Sequence, residues 1–79
     1  MLEKVKEYFE NEYKQAEEIL TRKDRPFWAK PKQICENTLI RYLGVVMFVQ
    51  SVGVSYSDVS DLYDEFEKKL KRLKESIDN

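Results

Sequence analysis

Several groups of residues in this 79-residue chain have types and spacings that chemistry can use. The first is a basic stretch interleaved with rings. Arg22, Lys23, Arg25, Lys30 and Lys32 surround Phe27 and Trp28, and Asp24 is the one acid between positions 22 and 33. Cations neutralise phosphates and flat rings stack on unpaired bases, so this set suits single-stranded nucleic acid. A plainer reading seats Phe27 and Trp28 over one end of a small core, because tryptophan is usually largely buried. The cations then answer the negative C-terminal end of the preceding helix. The plainer reading is the expectation.

Arg41 is the second candidate, an arginine inside the most apolar stretch of the chain. Buried, it would need a carboxylate, with Glu36, Glu12 and Asp61 in range, and it would then suit an anionic ligand. The expectation is instead a solvent stripe shared with Lys30, Glu36, Asn37 and Gln50. A third group, Asp58, Asp61, Asp64 and Glu65, has carboxylates on successive turns of one helix face, a spacing that two ligands of Mg²⁺ can use. Acids followed by Lys68, Lys69, Lys71, Arg72 and Lys74 are equally what a helix macrodipole favours, and that is the expectation here. Cys35 stands near a helix start with Lys30 and Lys32 nearby, conditions that lower a thiol's pKa. With no second cysteine and no histidine in the chain, it is read as a small packing residue.

Much chemistry is excluded by what is missing. No histidine means no imidazole base and no Ser-His or Cys-His pair. One cysteine rules out an intramolecular disulfide and a multi-cysteine zinc cage. Two glycines cannot build a phosphate-cradling loop. The formal net charge is −1, with 14 bases against 15 acids, so no global field draws the chain to nucleic acid or an anionic membrane. Distribution is less even: −3 over 1–21, +4 over 22–33, 0 over 34–56 and −2 over 57–79. No signal peptide or membrane span is read, no cofactor is called for, and a cytoplasmic protein, of a bacterial type, is expected.

The elements that must position these residues are three helices. Leu2, Val5, Phe9, Tyr13, Ala16, Ile19 and Leu20 recur at three- and four-residue steps and predict a helix over about 2–23. Pro26 and Pro31 break the pattern, and Pro31 suits the first turn of the next helix. That helix is predicted over about 32–52. Its run Val45-Val46-Met47-Phe48-Val49 also reads as a buried strand, but one strand without a partner leaves its backbone unsatisfied. Gly53 suits the left-handed position past the helix end, with Val54 after it as in a Schellman cap. Ser57 or Asp58 is expected to cap a third helix over about 58–77. Its seam is Val59, Tyr63, Phe66, Leu70, Leu73 and Ile77, widened by Leu62. Short connections predict one all-α domain over 1–79, an up-down-up bundle.

A helix apolar on all sides must be covered on all sides, and two neighbours cannot cover the second helix. A homodimer, or a complex with another helical protein, is therefore expected. Gly44, Val45, Met47, Phe48 and Val49, the third-helix seam of Phe66, Leu70 and Leu73, or both, would form a two-fold interface. Gly44 permits close approach of another helix. The function read from the sequence is a small non-catalytic module for self-association or protein interaction, an accessory or regulatory factor. Nucleic-acid binding through residues 22–32 is the alternative, and an anion- or Mg²⁺-dependent helical enzyme a weaker one.

Overall fold

The structure, a computed structural model, describes residues 2–78. Three α-helices make it up: α1 (Leu2–Thr21), α2 (Pro31–Ser51) and α3 (Tyr56–Asp78). The valine-rich run lies inside α2, so the helical reading holds over the strand. Each helix packs on both others. The body is a rod of 42 × 17 × 17 Å, as expected for helices of 20 to 23 residues rising about 1.5 Å per residue.

The core is a single cluster drawn from all three elements. Val5, Phe9, Ala16 and Leu20 come from α1, Cys35, Thr38, Tyr42, Val46 and Val49 from α2, and Val59, Leu62, Phe66, Leu70 and Leu73 from α3. At its centre Phe9 stacks on Tyr42 with centroids 4.2 Å apart, and Phe66 meets both rings edge-on at 5.6 and 5.9 Å. Offset and edge-to-face arrangements place the positive ring edge against the negative face, which adds to the area each ring buries. Lys69 closes the cluster from outside, its Nζ 4.8 Å from the Phe66 centroid and 5.6 Å from that of Tyr13.

The helix ends correct three expected boundaries. α1 stops at Thr21 rather than Lys23, where the Thr21 hydroxyl donates to the Glu17 carbonyl at 2.7 Å and Arg25 turns back to donate to the Leu20 carbonyl at 3.4 Å. α2 begins one residue early, on Pro31 itself, whose missing N–H is one that no helix can satisfy. α3 begins at Tyr56 rather than Asp58. The Val59 amide donates to the Ser55 carbonyl at 3.2 Å, so Ser55 flanks the helix, and neither Ser57 nor Asp58 does. Asp58 then falls in the first turn, where its charge faces the positive helix end. The α2 terminus is as read: Gly53 has φ +99°, its amide donates to Gln50 and the Val54 amide to Val49, the two bonds of a Schellman motif.

Candidate functional site

α2 is apolar on two faces and the bundle covers one. Inward, Tyr42 is fully buried and its hydroxyl donates to the Phe9 carbonyl at 2.8 Å. Burial pushes the Tyr42 phenol well above its usual 10.0, with the Glu12 carboxylate adding to the rise. Thr38 is also fully buried. Its hydroxyl donates to the Ile34 carbonyl at 2.9 Å, so the polar atom is satisfied within the helix. Cys35 donates to the Leu70 carbonyl of α3 at 3.6 Å and is a packing residue, buried rather than at the surface.

Outward, Ile40, Leu43, Met47, Phe48 and Val52 are all exposed. Met47 shows 73% of its surface, Phe48 65% and Ile40 65%. At 100° per residue they spread over the half of α2 turned away from the buried Tyr42 and Val46, a broad apolar face. Gly44 lies in that face, exposed, with nothing within 4 Å of where a Cβ would be. Its φ is not in the left-handed region, so nothing in the bundle requires a glycine there. Tyr56, from the first turn of α3, extends the surface, and with Leu43, Met47 and the half-buried Tyr63 it lines a shallow groove beside α2.

This placement divides the expected interface residues. Gly44, Met47 and Phe48 are on the surface, and Val45 is half-buried against the core. Val49, Phe66, Leu70 and Leu73 lie instead in the chain's own core and have no surface to offer a partner. The reason is rotation: Val49 follows Phe48 by 100° around α2 and so falls toward Tyr42 and Val46, while the α3 seam faces α1 and α2. Ile40, Leu43 and Val52 join the exposed set. The step of four from Ile40 through Gly44 and Phe48 to Val52 is the signal that finds them.

The basic loop is also corrected. Phe27 and Trp28 do not close the bundle end: they are 92% and 62% exposed. The Ala29 amide donates to the Pro26 carbonyl at 3.0 Å, closing a β-turn with the two rings at its corners. Ala29, buried to 1%, is the residue that enters the core. Arg22 meets Asp24 at 3.4 Å with both side chains exposed, and Arg25 is the cation that answers the α1 C-terminus. Lys23, Lys30 and Lys32 are exposed.

Arg41 combines parts of both readings. It is exposed, yet its Nε donates to Glu12 at 2.8 Å and its Nη2 to the Thr38 hydroxyl at 3.3 Å. The pair ties α2 to α1 at the bundle's edge and forms no buried anion pocket. Among the described residues, no three carboxylate or sulfur groups cluster as a metal-holding set. No helix among them is long and apolar enough to cross a membrane. No family model, curated protein or solved structure matches the chain.

Proposed function

We propose that the protein is a non-catalytic helical interaction module that self-associates through the outer face of α2. One observation carries this reading: Ile40, Leu43, Met47, Phe48 and Val52 are exposed apolar side chains on the half of α2 turned away from the core, and Arg41, already paired with Glu12, is the one charged side chain among them. With Tyr56, and side chains of about 150–230 Å² each, the stripe exposes on the order of 600–700 Å². Two such faces would bury roughly 1,200–1,400 Å², inside the range of specific interfaces. A mainly apolar face whose single cation is already paired within the chain asks for an apolar partner face, and a second copy supplies one.

Spacing along the stripe favours a two-fold, antiparallel pair of α2 helices. With the axis near Val46, Ile40 of one copy comes opposite Val52 of the other, and Phe48 comes opposite Gly44. A large ring then seats where no side chain stands, which accounts for a mid-helix glycine that costs about 1 kcal/mol against alanine. Within one chain the same reading has α2 run antiparallel to α1 and α3, up-down-up. Tyr42 bonding Phe9, Arg41 bonding Glu12 and Cys35 bonding Leu70 support that order. A reducing, cytoplasmic setting suits a chain with one cysteine.

The test is the molar mass of wild type and of Phe48→Glu by light scattering, with Gln15→Glu on α1 as a control. Charge on the stripe should give a monomer of unchanged helicity, while the control stays dimeric. A Phe48→Glu protein with the wild-type mass above that of one chain would remove α2 from the interface.

A further inference from the structure

A second surface lies at the opposite end of α2, and its geometry differs from the apolar stripe. Phe27 and Trp28 project from the tip of the 24–30 turn, which is held in place rather than loose. The Ala29 amide bonds Pro26, the Lys30 amide bonds the Trp28 carbonyl at 3.0 Å, Arg25 bonds the end of α1, and Ala29 is anchored in the core. Two rings on an anchored turn lose little freedom when they bind something flat.

The fold adds cations that the loop alone does not have. Cys35, one turn into α2, bonds Leu70 in the second half of α3, so the basic half of α3 packs beside the start of α2. Lys32, Lys71 and Lys74 line one groove of about 280 Å³ there, over an apolar floor of Cys35, Leu39 and Leu70. Glu36 and Glu67 also line the groove, leaving the cations ahead by one. Lys23 and Lys30 flank the two rings in sequence. The opposite end of the rod is acidic, where Glu3, Asp58, Asp61 and Glu65 line a groove with Lys6.

We infer that the Phe27–Trp28 turn and the Lys32–Lys71–Lys74 groove form a binding site for single-stranded nucleic acid, with the rings stacking on bases and the lysines tracking the phosphates. Ring stacking is indifferent to base identity and needs bases that are unpaired, so the site selects strandedness rather than sequence. Geometry suits a strand. The turn joins α1 to α2 and the groove begins at Lys32 in the first turn of α2 and reaches Leu39, so a strand lying along α2 passes from the rings to the lysines. The site is separate from the Met47–Phe48 stripe, and its fate does not depend on self-association.

Trp28 is the only tryptophan, so its emission reports the site directly. Titration with an oligothymidylate about 20 nucleotides long at low salt should quench that emission saturably, with affinity falling as salt rises. Trp28→Ala, read by anisotropy of a labelled strand, should weaken binding roughly 5- to 150-fold, the equivalent of the ~1–3 kcal/mol of one base–ring stack. Lys30→Ala/Lys32→Ala should weaken it and flatten the salt dependence. All three residues are exposed, so far-UV circular dichroism should show each variant folded. Absence of saturable quenching at low salt overturns the proposal. So does binding that both variants leave unchanged, or duplex of the same sequence binding as tightly. Emission that ignores the strand but shifts to shorter wavelength on phosphatidylglycerol vesicles assigns the turn to a membrane surface instead.

Discussion

At the scale of single residues, Tyr42 and Ala29 matter more to the fold than Trp28. Tyr42→Phe removes the hydroxyl that serves the buried Phe9 carbonyl and should cost about 1–2 kcal/mol, measured by urea unfolding. Burial also raises the Tyr42 phenol above 10.0, as it does to a smaller degree for Tyr8, Tyr13 and Tyr63. A raised folded value means that the folded chain holds its phenolic protons where the unfolded chain has released them. The stabilisation is therefore complete below pH 10 and declines as pH rises beyond it. Unfolding free energy should fall above pH 10 in wild type, and fall less steeply in Tyr42→Phe. Trp28→Ala should change stability by no more than about 0.5 kcal/mol, whereas Ala29→Leu should cost about 1–3 kcal/mol by overfilling a closed site. Sequence could not separate these neighbours. A tryptophan's apolar area argues for burial, but the Pro26–Ala29 turn puts the corner residues outside and the smallest side chain inside, and turn geometry decides the outcome.

At the scale of elements, α1 and α3 were legible because each has a polar face, and periodicity then names the buried one. Val5, Phe9, Ala16 and Leu20, and Val59, Phe66, Leu70 and Leu73, are all buried as the spacing predicts. α2 lacks that contrast. With apolar residues all round, its pattern says that more than one face is covered and not which residue belongs to which face, and only the packing of α1 and α3 against it separates buried Val49 from exposed Met47. The chain's two glycines, Gly44 within α2 and Gly53 just past its end, respond oppositely to alanine. Gly53→Ala should destabilise by about 1 kcal/mol or more, because φ +99° is strained for a residue with a Cβ. Gly44→Ala meets no atom within 4 Å and should stabilise the isolated chain by about 0.5–1 kcal/mol, while weakening the proposed dimer, in which Phe48 of a second copy would seat there. Thermal unfolding at low and high protein concentration separates the two effects of Gly44→Ala. The Arg41–Glu12 pair between α2 and α1 is half exposed, and a double-mutant cycle should find a coupling below about 1 kcal/mol.

At the scale of the whole molecule, the three helices sort three kinds of surface along one rod. Acids gather where α1 and α3 begin, cations and two rings where α2 begins, and the apolar stripe occupies the middle and far half of α2. Near-neutral net charge conceals that arrangement, because the sum over the chain cancels what the fold separates. A chain of this size has limited core to draw on, and an interface that covers the second face of α2 would add to it through association. Sedimentation equilibrium from about 1 to 100 µM tests this most directly, because that range brackets the weak pairing expected of an interface at the small end of the specific class. The account predicts a reversible shift from the 9.5 kDa chain to twice that mass across the range. A single species of 9.5 kDa at every concentration would contradict it.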